Sequence, residues 1–263
     1  MRRSKWTLSL LFPTLDRLLT SPPDAARVGW LRNWTYAHRG LHSDGVPENS
    51  LAAFAGAIAA GYGIECDIQR SRDGEAMLLH DWELERLTGV GGPLAAHSAQ
   101  ELGQIAFLDS DHRIARLSDL LELVAGEVPV LIEIKSRAGY DVKRSCRAVA
   151  RALESYEGAV SVMSFDPRVP RWFARHATRP LRGLVIKETA DGPTPHRWQR
   201  HLALWHARPE FVAYDIRALP NPMADGLRAR GFPVPSWTID TPEKARHAAL
   251  HADAPIAEGE GFA

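Results

Sequence analysis

Three acidic side chains stand where a buried strand should be apolar. Glu65 and Asp67 lie two apart in the run Ile64-Glu65-Cys66-Asp67-Ile68, and Glu133 sits between Ile132 and Ile134. Side chains two apart on a strand point the same way, roughly 6.6 Å apart along it. Glu65 and Asp67 therefore share a face, and Glu133 faces away from its two isoleucines. Three carboxylates converging in a low-dielectric space repel one another strongly. A divalent cation resolves that repulsion, and an oxygen-only ligand set favours Ca2+ or Mg2+ over Zn2+. Salt bridging to Arg70 or Lys135 would account for one buried acid more readily than for three.

Of the 11 histidines, two are placed for proton transfer. His38 ends the run Trp34–Ala37, and His80 ends the run Ala76–Leu79. Cleaving a phosphate ester requires one group to take a proton from the nucleophile and another to protonate the leaving oxygen. Two imidazoles titrating near neutrality can do both. His97, His176, His196, His201 and His251 carry no comparable pattern. Arg39 follows His38, and its guanidinium can fork onto two phosphate oxygens. Lys135, two residues beyond Glu133, points to the same side; it either holds a phosphate or neutralises the acidic cluster.

Groups scattered from residue 38 to residue 135 need a scaffold that gathers them. Short β-branched or aromatic runs alternate with helical patterns, the signature of βα units and a parallel sheet. Strands are expected at 34–37, 64–69, 129–135, 159–165, 182–186, 211–216, 234–239 and 252–257. A helix capped by Asn49 or Ser50 follows the first, with Leu51, Phe54 and Ile58 on one face and Gly61 and Gly63 ending it. Val142, Cys146, Val149 and Leu153 mark another, and Thr241-Pro242 opens a third. Eight strands with intervening helices predict one (β/α)8 barrel, a fold of roughly 250 residues, and the chain has 263.

About sixty residues separate the second of these strands from the third, so most of 70–118 is expected to be an insertion over the barrel mouth, with Asp109–Ile114 an exposed loop. Residues 1–33 form a separate amphipathic extension. Arg2, Arg3 and Lys5 precede the apolar run Trp6–Phe12, which Pro13 interrupts and which is far too short for a membrane span. Leu8, Leu11, Leu15, Leu18 and Leu19 fall at helical spacing, with a bend or restart expected at Pro13. Burial of this stripe on the barrel is the preferred expectation, and a membrane-surface anchor the alternative. Lys+Arg and Asp+Glu balance at 32 each, which argues against a nucleic-acid partner. Cys66 and Cys146 read as buried free thiols. They point to a reducing compartment and a cytoplasmic location, although the basic, apolar N-terminus leaves export or membrane association open.

His38-Arg39-Gly40, Pro47-Glu48-Asn49-Ser50, Glu65-Cys66-Asp67, His80-Asp81 and Glu133-Ile134-Lys135, followed by Ser164-Phe165 and Trp237-Thr238-Ile239, occur in an order that resembles the glycerophosphodiester phosphodiesterase family over residues 35–259. The ordered set is far more specific than any single piece. The resemblance implies a barrel with a small insertion after the second strand. It implies that Glu65, Asp67 and Glu133 bind one divalent cation and that His38 and His80 are acid and base. It also implies that Arg39 and Lys135 contact phosphate and that Trp237 packs on glycerol. Glu48 and Asn49 are expected to support these groups from behind. Three departures stand out: Ser50 where the family often has Thr, Ala115-Arg116-Leu117 in place of Pro-Thr-Leu, and Ala257-Glu258 in place of Thr-Asp.

The activity so implied is hydrolysis of a small glycerophosphodiester to glycerol 3-phosphate and an alcohol. The attacker is either water or the substrate's own hydroxyl through a cyclic phosphate. A lysophospholipase D of the same superfamily would show a hydrophobic path near the site, and a non-catalytic phosphoester-binding barrel would lack one of the five histidines and carboxylates.

Overall fold

In the computed structural model, residues 5–190 and 192–262 are described, residues 5–10 as backbone only. Among the described residues there are nine strands: β1 (Tyr36–Ala37), β2 (Gly63–Arg70), β3 (Ala76–Leu78), β4 (Val130–Ile134), β5 (Val160–Ser164), β6 (Leu181–Ile186), β7 (Phe211–Asp215), β8 (Pro235–Ile239) and β9 (Ala254–Ala257). Eight of them are parallel neighbours in the order β1-β9-β8-β7-β6-β5-β4-β2, and β1 also pairs with β2, which closes a (β/α)8 barrel. β3 lies outside the cylinder and runs antiparallel to β2, pairing Ile68 with Leu78.

The helices are α1 (Lys5–Leu19), α2 (Ala25–Val28), α3 (Leu51–Ala59), α4 (Glu85–Thr88), α5 (Ala99–Leu102), α6 (Leu117–Val124), α7 (Val142–Ala152), α8 (Arg168–His176), α9 (Arg197–Ala207), α10 (Pro222–Arg228) and α11 (Pro242–His251). Ser50, not Asn49, caps α3, its hydroxyl accepting the Ala53 N–H at 3.1 Å. Thr241 caps α11 and Pro242 begins it.

Strand parity sorts the side chains. Ile64, Cys66, Ile68, Val130, Ile132 and Ile134 face the helices in one continuous buried cluster, as strands covered on both faces require. Leu131, Met163, Val185, Phe211, Ala213 and Ile256 fill the cylinder. Gly183 is the space beneath Phe211: a Cβ there would lie 2.2 Å from that ring. Both cysteines are buried and free.

Residues between β3 and α6 gather around a smaller core of Met77, Leu79, Leu84, Leu94, Leu102, Phe107 and Ile114. Ile114, expected in an exposed loop, is 2% exposed because it packs into this core. α6 packs on α3 and α7 as an ordinary barrel helix.

The leucine stripe of α1 departs from expectation. The helix runs through Pro13 without interruption and packs on α9, yet Leu11, Leu18 and Leu19 are exposed. Polar and aromatic contacts dock it instead. Asp16 accepts from Trp205 Nε1 at 2.7 Å and lies 3.0 Å from His201 Nδ1, and Phe12 stacks on His201 with ring centres 4.4 Å apart. Arg2, Arg3 and the side chains of Lys5, Trp6, Leu8 and Leu10 lie outside the described residues. No helix among the described residues is long and apolar enough to cross a membrane.

Candidate active site

β2 and β4 are parallel neighbours in a register that pairs Asp67 with Glu133. The parity that points Cys66 and Ile132 outward therefore points Glu65, Asp67 and Glu133 inward. One carboxylate oxygen from each lies within 4.8 Å of the other two, and all three residues are buried. Lys135 reaches into this cluster: Nζ is 2.7 Å from Asp67 Oδ1 and 2.6 Å from Glu133 Oε1. Arg39 Nε lies 3.2 Å from Asp67 Oδ2. Glu65 has no such ion pair among the described residues and accepts the Arg39 backbone N–H at 3.1 Å.

Two cations thus face three carboxylates, and the ionisation of each acid follows its place. Burial pushes Glu65 well above the usual carboxylate range, with Asp67 and Glu133 adding repulsion. Burial also presses Asp67 upward, but Lys135 and Arg39 outweigh it and hold it far below that range. A buried carboxylate without a counter-charge beside two that have one, all oxygen donors within 4.8 Å, fits a hard divalent cation. The Lys135 ammonium occupies part of that electrostatic role.

The loop after β1 supplies Arg39. Both Arg39 and Asn49 adopt positive φ, 56° each, and Gly40 follows at φ 81°. A Cβ on Gly40 would meet Ala53 at 2.8 Å, so this turn admits glycine alone. Asn49 is held in the left-handed region by two bonds to β2: its Nδ2 donates to Asp67 Oδ2 at 3.1 Å, and its Oδ1 accepts the Asp67 N–H at 3.0 Å. Glu48 accepts from Arg39 Nη1 at 2.9 Å and from Arg86 Nη2 at 2.8 Å. Arg86 and Arg39 together hold Glu48 below its ordinary range against the upward push of burial.

Each histidine has its own carboxylate. His38 Nδ1 is 2.5 Å from Glu258 Oε2, and His42 Nε2 lies 3.6 Å from the same oxygen. The His38 hydrogen bond, with the His42 ring close by, depresses Glu258 strongly. His80 Nδ1 is 2.7 Å from Asp81 Oδ1, and Arg86, which bonds Asp81, holds that acid down at about 2. Burial, then repulsion by Lys135, lowers His80. A carboxylate on Nδ1 fixes ring orientation and leaves Nε2 for chemistry. The Gln69 amide donates to the carbonyls of Leu79, His80 and Asp81, which anchors that turn to β2.

All eight residues singled out for metal, proton transfer and substrate contact line one cavity of about 230 Å³: His38, Arg39, Glu65, Asp67, His80, Glu133, Lys135 and Trp237. Phe165 and Trp237 meet edge to face at 5.5 Å on its wall. Glu48 and Asn49 stand behind Arg39 and Asp67. Sequence reasoning missed Lys187, which lines the cavity after β6, and noted Glu258 only as a departure. The signal for Glu258 was its position just past the last strand, on the face where barrel loops carry chemistry.

The family model described as "Glycerophosphoryl diester phosphodiesterase family" matches residues 38–254. A glycerophosphodiester phosphodiesterase of Caldanaerobacter subterraneus is 26% identical over 228 residues, covering 81% of this chain and 88% of that protein. The Thermotoga maritima glycerophosphodiester phosphodiesterase superposes with a TM-score of 0.68 at 25% identity, over 85% of this chain and 93% of the other. An Oleispira antarctica phosphodiesterase, solved in complex with the product sn-glycerol-3-phosphate, shares the fold with a TM-score of 0.75 at 21% identity, over 87% and 94% of the two chains. With the match spanning most of the barrel, the chain belongs to the glycerophosphoryl diester phosphodiesterase family.

Proposed function

We propose that this cavity hydrolyses a glycerophosphodiester to glycerol 3-phosphate and an alcohol, with one Ca2+ or Mg2+ held by Glu65, Asp67 and Glu133. The observation that carries the reading is the placement of two carboxylate-held histidines around one buried acidic cluster. When bound, the divalent ion supplies Lewis-acid withdrawal of charge from a phosphate oxygen.

The chain's own residues do the rest. Arg39 and Lys135 are partly buried cations already facing the cluster, and they turn toward the phosphate as it enters. Trp237 offers an apolar wall for the glycerol carbons. One imidazole removes a proton from the nucleophile and the other delivers one to the leaving alkoxide, while Glu258 and Asp81 hold the rings and stabilise the charged form. The same reading is supported by relatives named for this activity and by the neighbour solved with sn-glycerol-3-phosphate.

The test is release of glycerol 3-phosphate from glycerophosphocholine by purified protein. Turnover should stop on exhaustive chelation and return with Ca2+ or Mg2+. Full turnover in protein shown to be metal-free would refute the metal assignment.

A further inference from the structure

α9 carries two polar side chains on its buried stripe. Arg200 and His201 are 9% and 2% exposed, beside Ala203, Leu204 and Ala207 on the same helix. Each is held on one side only. Arg200 Nη1 donates to the Pro195 carbonyl at 2.9 Å and to that of Thr194 at 3.2 Å, and Nη2 lies 3.0 Å from Glu188 Oε2. Its Nε is buried with no partner. His201 Nδ1 lies 3.0 Å from Asp16 Oδ1, and Phe12 stacks on the ring. Its Nε2 is likewise buried and unpartnered. A buried polar atom without a partner forfeits the hydrogen bond it had in water, so two in adjacent residues call for an occupant.

Both residues line one cavity of about 440 Å³ formed by α1, α9 and α10, within the roughly 300–1,000 Å³ range of small-molecule sites. Arg17, Arg197 and Arg230 line it too. Four guanidiniums face two carboxylates, Asp16 and Glu188, which leaves two positive charges over. Burial first, and the Arg17 charge after it, lower Arg230 despite Asp16, so cations in this cavity repel one another. Pro13, Pro222 and Met223 make part of the wall apolar. Among the described residues this lining and that of the catalytic cavity do not overlap, although Glu188 is next in sequence to Lys187 of the latter.

We infer that this cavity is a second anion site, which binds a small hydroxylated phosphomonoester without cleaving it. Guanidiniums fork onto phosphate oxygens in pairs, and a phosphomonoester carries about −1.5 to −2 charges at pH 7, which matches the surplus. The phosphate accepts from Arg200 Nε and from Arg17 and Arg230, and the carbon skeleton lies against Pro13 and Met223. In the neutral His201 ring the Nδ1 proton is donated to Asp16 and Nε2 accepts, which suits a hydroxyl of the ligand. The inference is independent of the reaction proposed for the catalytic cavity.

The experiment follows the His201 imidazole signals of the full chain by NMR, assigned with a His201→Gln variant, during titration with ribose 5-phosphate, sn-glycerol 3-phosphate and succinate. A phosphomonoester should shift them saturably, and succinate at equal ionic strength should not. Arg17→Gln should weaken the Kd by about tenfold. Arg17 is exposed and outside the catalytic machinery, so the fold is retained. Arg200→Gln should abolish the shift; because Arg200 also braces Glu188, Arg17→Gln carries the comparison. A response to sn-glycerol 3-phosphate alone marks that compound as the occupant, and a response to both marks a broader class; either upholds the site. His201 signals that neither phosphomonoester moves saturably overturn the inference, and a simultaneous shift of His38 or His80 would place all binding in the catalytic cavity. An equal response to succinate, or an equal Kd in parent and Arg17→Gln, also overturns it.

Discussion

Two arcs of the same barrel interior have opposite characters. From β1 to β4 the inward positions near the mouth are Glu65, Asp67 and Glu133, with Arg39 and Lys135 between them. From β5 to β9 they are mostly apolar, Met163, Val185, Ala213 and Ile256, with Asp215 and Lys187 as the charged exceptions toward the rim. Both arcs rest on equally apolar outer faces, so folding does not ask for the charges. Burying ions costs more than burying hydrocarbon, and paired charges in a core are often neutral or worse for stability. The difference teaches that the charges of the first arc are not there for cohesion, which agrees with the chemistry proposed for them, while the second arc carries most of the packing inside the cylinder.

The comparison breaks if a change in the charged arc unfolds the protein, or one in the apolar arc stops turnover in protein that stays folded. The largest effect is expected from Glu133→Gln or Asp67→Asn: metal binding measured by calorimetry should be lost and turnover abolished, with thermal stability nearly intact. Next, His38→Ala and His80→Ala should each lower kcat by about 10²–10⁴-fold, and a near-normal kcat would remove that residue from the proposed role. Glu258→Gln should cost less than His38→Ala, about 10²-fold at most, and should shift the pH–rate profile, which a purely structural contact would not do. In the apolar arc, Phe211→Ala should lose about 3–5 kcal/mol in urea unfolding and leave KM for glycerophosphocholine unchanged. Asp16→Ala, outside both arcs, strips partners from His201 and Trp205; it should cost about 1–3 kcal/mol with unaltered activity.

Much of this was legible in the sequence because strand parity is a local property. Ile132-Glu133-Ile134 announces an inward acid between two outward isoleucines, and Ile64 to Ile68 does so twice over. Runs of β-branched residues located all eight barrel strands within about two residues, boundaries being the least local feature. Glu258 was not legible as a partner of His38, since 220 positions separate them and only barrel closure brings them together. Lys187 lacked a flanking pattern of any kind. The α1 stripe misled because helical spacing shows which residues share a face but not what that face meets. Asp16, a charged residue inside the stripe's span, and Phe12 supplied the docking contacts instead.

β1 is two residues long and is the seam of the cylinder, bonded to β2 on one side and β9 on the other. His38 leaves that seam with its N–H on the Ala257 carbonyl at 2.8 Å, and Glu258 is the next residue along. The dyad is therefore a clasp across the join between the earliest and latest strands. Closing a loop of this length is slow relative to local contacts, so the clasp is among the last parts to assemble. During synthesis no His38–Glu258 pair exists until residue 258 has left the ribosome, although the acidic cluster on β2 and β4 can form long before. In mild denaturant the order should reverse: fraying of the seam separates His38 from Glu258 while Glu65, Asp67 and Glu133 stay together, so on the proposed reading turnover should be lost before cation binding is.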